Sequence, residues 1–428
     1  MKSAAASALS TLAIRGGSPA VREAIQPFNP IGEDEKRAVI AFMDKGLPLS
    51  GFHGSARPSF FGGPEVQGFE EEWKAFFGSR HAVSVNSATS GLMVAMGAIG
   101  IEPGDEVIVP PYTMTATAVA PVIYGGVPVF VDVEDDYFCL DVAKVRAAIT
   151  PKTKAIIAVN LFGHPAQLSE LRALADERGL YLVEDNAQAV LGREGSAWTA
   201  HVGHIGVYSL NVHKHIQCGE GGVCVTTDDD LALRMKLIRN HGENVIDWLK
   251  VENLTNLIGY NFRMSEIHAA IARAQLKKVE PQVQRCERMA EALTEGVRGL
   301  PGLTPPRVRG GCRHNYFQWT MRYDEAIVGA PREKFVAALQ AEGVPVAQGY
   351  VPPIYWLPMF QKKIAMGGKG FPFTLSDISY ARGSCSVTER LHVKEVIQFQ
   401  PVSWTLSDAQ MTQVIDAFHK VHALAKDL

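Results

Sequence analysis

The sequence predicts an α/β protein: a large domain on a seven-stranded, mostly parallel sheet, followed by a smaller C-terminal α/β domain. Three observations carry this. From residue 81 onward, short β-branched runs alternate with helical patterns, the order expected of crossover units in a parallel sheet. Most runs are near-continuously apolar, as strands covered by helices on both faces are. After about residue 300 the alternation gives way to fewer elements separated by Gly- and Pro-punctuated loops. These features divide the chain into an N-terminal extension (1–30), a large domain (31–275) and a small domain (276–428).

The predicted strands are 81–86, 106–111, 127–133, 155–160, 181–186, 205–211 and 221–227. Helices fit between them at 89–99, 115–123, 141–149 and 166–178. No helix fits between the sixth and seventh runs, so that connection is read as looped or antiparallel. A long helical stretch with Ala-rich spacing follows at 264–298. The small domain then supplies a strand (315–323), a helix (332–342), an aromatic, Pro-rich loop (349–360) and a last helix (407–425).

Composition narrows the function classes. Of 428 residues, 46% are apolar and 20% charged, which rules out a mainly disordered chain. Lys and Arg number 42 against 45 Asp and Glu, with the signs interspersed, so no basic face for nucleic acid is indicated. Residues 107–131 carry no charge, but Pro110, Pro111, Pro121, Pro128, Gly125 and Gly126 break any membrane helix there. The start, MKSAAASALSTLAI, reads as a loose extension rather than a signal peptide. Six cysteines without a CxxC pair fit reduced thiols in a cytoplasmic protein.

In open α/β sheets, ligands bind beyond the carboxyl ends of the strands. Three such positions carry chemistry. After the first run, Asn86-Ser87-Ala88-Thr89-Ser90-Gly91 leads into a helix, where free backbone N–H groups can seat a phosphate. After the fifth, Asp185 follows a buried apolar stretch and needs a cationic or protonated partner. After the sixth, Lys214 stands between His213 and His215, ahead of Gly219-Glu220-Gly221-Gly222. A lysine of lowered pKa there suits Schiff-base chemistry. Taken singly, these fit an N-cap, a helix cap and a surface lysine. Taken together, at one sheet edge, they describe a pyridoxal phosphate site, and no metal is implied.

The motifs EDNAQA (184–189), SLNVHKHIQCGEGG (209–222), IRNHGE (238–243) and YNFRMSEIHAAIARAQL (260–276) resemble those of the DegT/DnrJ/EryC1/StrS family of sugar and cyclitol aminotransferases. The resemblance runs from about residue 30 to 420. It implies the aspartate aminotransferase (type I) fold of pyridoxal 5′-phosphate enzymes and makes Lys214 the Schiff-base lysine. It places Asp185 at the pyridine nitrogen and Gln188 near the phenolic oxygen. Ala88, Thr89 and Ser209 would hold the phosphate, joined by Asn261 from the other subunit of a homodimer with shared active sites. Met114 occupies a position that is usually aromatic and stacks on the cofactor. Its thioether can pack on the ring, and Tyr112, two residues earlier, offers a second candidate. In the loop at 350–355, Tyr350 and Tyr355 are expected at the substrate, with Tyr355 where many sugar-nucleotide enzymes carry His.

The implied reaction moves an amino group from glutamate or glutamine, through pyridoxamine 5′-phosphate, to a keto-sugar or keto-cyclitol. The alternatives are a dehydratase or lyase of the same family, which would carry His in place of Lys214, and a non-catalytic regulatory relative. A cysteine desulfurase shares a His-Lys pair, but the Gly-Glu-Gly-Gly that follows points to the sugar family.

Overall fold

Seven strands form the central sheet: β1 (His81–Val85), β2 (Glu106–Val109), β3 (Val127–Phe130), β4 (Thr153–Val159), β5 (Tyr181–Asp185), β6 (Ile205–Ser209) and β7 (Gly222–Thr226). They come from a computed structural model that describes residues 11–428. The order across the sheet is β1-β7-β6-β5-β4-β2-β3. The pairs from β3 to β6 are parallel, whereas β7 is antiparallel to both β1 and β6. The missing helix between the sixth and seventh runs has this as its cause: residues 210–221 turn the chain straight back.

The apolar runs are explained by two-sided burial. Alternate side chains of a strand point to opposite faces. Val107, Val183 and Val207 face one core, with Val94, Met96, Met235 and Ile238 of the helices α3 (Ala88–Ala98) and α7 (Asp229–Arg239). Ile108, Ile156 and Leu182 face the other, with Leu171 and Leu174 of α6 (Leu168–Arg178). Tyr208 and Val223 meet Phe69 and Trp73 of α2 (Pro64–Phe77) and Ala269 and Ala272 of α8 (Glu266–Leu276). The remaining large-domain helices are α1 (Glu33–Met43), α4 (Ala116–Val122) and α5 (Val142–Ala148). The uncharged stretch 107–131 thus becomes strand, bend, helix and strand. Among the described residues no helix is long and apolar enough to cross a membrane.

The expected helical stretch at 264–298 is two helices, α8 and α9 (Val279–Val297), broken at Lys277 and Lys278. Pro281 explains the break: it has no N–H for the Lys277 carbonyl, and its ring crowds that carbonyl. Beyond it, β8 (Leu303–Thr304), β9 (Trp319–Tyr323), β10 (Val346–Gln348) and β11 (Val396–Phe399) form an antiparallel sheet in the order β8-β9-β11-β10. Helices α9, α10 (Arg332–Ala341) and α11 (Asp408–Ala423) cover it.

Two departures from the sequence reading concern where segments dock. The expected loose extension falls partly on residues 1–10, outside the described residues. From Leu12 onward the chain is anchored: Leu12, Val21 and Ile25 are buried in the small-domain core. The buried Glu342 carboxylate accepts from Ala13 N (2.9 Å) and Ala20 N (2.8 Å) and pairs with Lys420 at 2.9 Å. Residues 350–395, in turn, leave the small domain. Ile354, Tyr355, Phe360, Phe373 and Tyr380 pack into the core of the large sheet.

Candidate active site

The strand order brings the chemistry together. The carboxyl ends of β1, β6 and β5 lie along one edge of the sheet, with the start of β7 between β1 and β6. This edge opens into a cavity of about 520 Å³ lined by Ala88, Thr89, Met114, Asp185, Ser209 and Lys214, among others.

At the end of β1, Ser87 caps α3 by accepting from Ser90 N at 3.1 Å. The Ala88 and Thr89 N–H groups, at the positive end of the helix, border the cavity. Gly222, at the start of β7, lies against this turn. A Cβ there would stand 2.8 Å from Ala88 N and 2.9 Å from Ser87 O, so the last glycine of the Gly-Glu-Gly-Gly run is required by close approach. Ser209 ends β6, and its Oγ accepts from Asn211 N at 3.3 Å.

Asp185 ends β5 and is 5% exposed. Its Oδ2 accepts from Thr117 Oγ1 at 2.7 Å and its Oδ1 from Ala187 N at 3.2 Å. Burial pushes its pKa up, opposed by the Thr117 hydroxyl, the Ala187 N–H and the positive charge of Lys214. Lys214 sits in the returning loop, half-buried, with Nζ 4.3 Å from the centre of the Phe317 ring. Burial lowers its pKa to about 8, and the charge of Asp185 opposes the fall. No salt bridge reaches Lys214 among the described residues. Its amine can therefore lose and regain a proton near neutral pH.

The flanking histidines have different surroundings. His213 is exposed at the cavity rim. His215 is buried, its Nε2 hydrogen-bonded to the Asn315 carbonyl at 3.2 Å, and burial drives its pKa down to about 3. It is a neutral core residue.

Several expected positions lie elsewhere. Tyr112 is fully buried behind the site, edge-on to Tyr350 and Phe162. The chain leaves β2 at Val109 and bends through 111–113, so strand alternation does not carry from Tyr112 to Met114, which is 52% exposed at the cavity. Tyr355 is also buried. Its hydroxyl donates to Glu389 and its ring packs on Phe130, away from the cavity. From that loop Tyr350 reaches the cavity. Gln188 stands behind Tyr350, accepting from Phe162 N (2.7 Å) and donating to Tyr350 Oη (2.8 Å). Burial raises the Tyr350 pKa to about 12, so its hydroxyl keeps a proton to donate.

Asn261 is exposed and does not line the cavity of its own chain. It lies close by along the backbone, because the adjoining Phe262 carbonyl accepts from Asn86 N at 2.8 Å. Its Oδ1 accepts from Arg263 Nε at 2.7 Å.

Sequence reasoning passed over Thr117, Phe317, Gln318 and Gln400. Thr117 carries no motif signal, and the other three reach the cavity from the small domain. Asn315 was also missed. It is fully buried, donates to the Gln188 and Val190 carbonyls (3.0 and 2.8 Å), and seats the small-domain strand beside Lys214.

A model of the DegT/DnrJ/EryC1/StrS aminotransferase family matches residues 56–418. The chain belongs to this family. Its members are pyridoxal phosphate-dependent, and named relatives are sugar transaminases. The UDP-N-acetyl-3-dehydro-α-D-glucosamine 3-aminotransferase of Acidithiobacillus ferrooxidans is 36% identical over 303 residues, 71% of this chain and 79% of that protein. The dTDP-3-amino-3,4,6-trideoxy-α-D-glucose transaminase of Streptomyces venezuelae is 35% identical over 299 residues, 70% of this chain and 76% of the relative. The crystal structure of S. venezuelae DesV in complex with a ketimine intermediate superimposes with a TM-score of 0.76 at 30% identity, covering 92% of this chain and 95% of DesV. For this DegT-family chain the type I fold is therefore established, with the seven-stranded sheet as its large domain.

Proposed function

We propose that the chain is a pyridoxal 5′-phosphate-dependent aminotransferase that moves nitrogen from glutamate or glutamine to a keto-sugar or keto-cyclitol. The observation that carries this is Lys214: an unpaired, half-buried amine with a pKa near 8, sharing a cavity with the buried Asp185. The cavity fits the cofactor at both ends. The α3 N-terminus and the Ser209 hydroxyl offer a seat for phosphate, cradled where only Gly222 leaves room. Asp185 offers a carboxylate to a protonated ring nitrogen.

When bound, the cofactor supplies an electron sink for charge developing next to the reacting nitrogen. The chain's own residues do the rest. Ala88, Thr89 and Ser209 would hold the phosphate, and Met114 would pack against the ring. Asp185, whose carboxylate form the Thr117 hydroxyl and the Ala187 N–H favour against burial, would hold a proton on the ring nitrogen. Lys214 would anchor the cofactor and, once released, would take and return a proton at the donor's Cα. Tyr350, whose hydroxyl oxygen accepts from Gln188, would donate its proton to an oxygen of a bound ligand.

The dehydratase alternative needs a histidine in place of Lys214. Lys214 itself occupies that position; His213 beside it is exposed and His215 is buried and bonded to the Asn315 carbonyl. A homodimer completes the reading. Leu49, Leu254 and Ile258, each more than half exposed, give the segments before α8 an uncovered apolar surface, and Asn261 lies in the same stretch. The partner's copy of this stretch would bring its Asn261 to the phosphate.

The test is spectroscopic. Purified protein with added pyridoxal phosphate should show a visible-edge absorption band that borohydride abolishes. Glutamate or glutamine should convert the band, and a keto-sugar should restore it. Lys214→Ala should retain less than about a tenth of the turnover, since a positioned proton-transfer group is worth about 10²–10⁴-fold. A protein that never acquires the band is a binding protein, not this enzyme.

A further inference from the structure

The small domain contributes two glutamines to the cavity wall, and one has an unmet requirement. Trp319 of β9 pairs with Phe399 of β11 in antiparallel register, so the next residue on each strand, Gln318 and Gln400, stand opposite one another. Both line the cavity that holds Lys214, and both also line an adjoining cavity of about 450 Å³ with Val346, Gln398 and Trp404. Gln318 is 5% exposed, yet its Oε1 is shut off from solvent and meets no donor among the described residues. A buried amide oxygen is costly to leave unmatched, and native chains satisfy nearly all of them. The amide that carries this oxygen belongs to a residue that lines the cavity holding Lys214.

We infer that Gln318, supported by Gln400, is a specificity-determining residue that reads ring hydroxyls of the amino-group acceptor. The site thus selects a keto-sugar or keto-cyclitol that keeps hydroxyls beside the carbon to be aminated over a deoxygenated one. The inference rests on the aminotransferase reading and deepens it. Its logic is the hydrogen-bond inventory. A hydroxyl both donates and accepts, so it serves either end of an amide, whereas a carboxylate has no hydrogen for Oε1. The donor's amino group is committed to the chemistry at Lys214. Among the described residues no arginine lines the cavity, and this wall is otherwise the uncharged Tyr350 and Phe317. A polyol matches such a wall better than an anion does. The named relatives show that the family meets both kinds of acceptor, one with an N-acetylglucosamine ring and one with a 3,4,6-trideoxy ring.

The experiment separates the two half-reactions of the holoenzyme by single-turnover absorbance. Glutamate drives the first. The second is run with two UDP-linked 3-keto-hexoses, one bearing its 4- and 6-hydroxyls and one lacking both, and with a keto-inositol. Wild type should prefer the hydroxylated nucleotide sugar or the keto-inositol to the deoxygenated sugar by about 10–100-fold in kcat/KM. Gln318→Met keeps length and loses the amide. It should lower kcat/KM for the preferred acceptor by a similar factor, leave the deoxygenated sugar within about threefold, and leave the glutamate step within about twofold. If Gln318→Met does not fold, Gln400→Met carries the test with the same pattern at smaller amplitude. Equal losses in both half-reactions would reduce Gln318 to a structural residue and overturn the inference. So would a wild type that uses the deoxygenated sugar as well as the others, or one that completes the glutamate step but accepts neither hydroxylated probe. A failed glutamate step in wild type would instead refute the aminotransferase reading itself.

Discussion

Replacing Thr117 with valine removes one hydroxyl at nearly constant shape, and the consequences can be worked from the geometry. Thr117 is fully buried, and its Oγ1 donates to Asp185 Oδ2 at 2.7 Å, a short bond to a carboxylate. Hydrogen bonds to charged groups contribute about 1.5–3 kcal/mol, so Thr117→Val should destabilise the cofactor-free protein by about that amount at pH 8. The loss should depend on pH with a definite sign. Burial raises the Asp185 pKa above its unfolded value, so the folded state binds the proton more tightly. Stability is therefore lost as pH rises from the ordinary carboxylate range through the folded pKa. Without the Thr117 hydroxyl the folded pKa climbs further and that loss deepens. The gap between variant and wild type should be widest at pH 8 and narrow as pH falls toward 4. Urea unfolding across this range measures it. In the holoenzyme, the acid limb of the glutamate half-reaction should move to higher pH. A gap that is constant with pH, together with an unmoved acid limb, would show that Thr117 only fills space and would refute its role in keeping Asp185 ionised.

Other outcomes follow from single contacts. Gly222→Ala drives a Cβ against the Ala88 N–H turn and should cost about 1–3 kcal/mol. It should also speed cofactor loss on dialysis several-fold; unchanged retention would mean that the turn is not the phosphate seat. Glu342→Gln leaves Lys420 buried without its counter-charge and should cost about 3–5 kcal/mol, read by urea unfolding. It should also expose residues 13–22 to protease. Mixing Asn261→Ala subunits with Lys214→Ala subunits should give dimers with close to half activity, since the site with intact Lys214 borrows Asn261 from its partner. A cofactor defect persisting in that site would place Asn261 within its own chain.

By itself the sequence determined the elements that local patterning can encode. Two-sided burial writes apolar runs, and these placed the seven strands and most helices between them. The same local logic pointed to Lys214, Asp185 and the Ser87-Ala88-Thr89 turn, because each directly follows a strand and an open sheet presents its strand ends to ligands. What periodicity does not encode is which buried ring or amide turns toward a cavity assembled from distant segments. Tyr112, Tyr350 and Tyr355 look alike in sequence, but a bend after β2 and the Glu389 carboxylate take Tyr112 and Tyr355 away from the site and leave Tyr350 in it. Thr117 matters only because α4 crosses the end of β5, and Gln318 and Gln400 only because the small-domain sheet abuts Lys214. The break in the long helix was written locally, in Pro281. The anchoring of the N-terminal segment was decided by Glu342 and Lys420, more than 300 residues away along the chain, because a buried charge pair forms only once tertiary packing has excluded water from both partners.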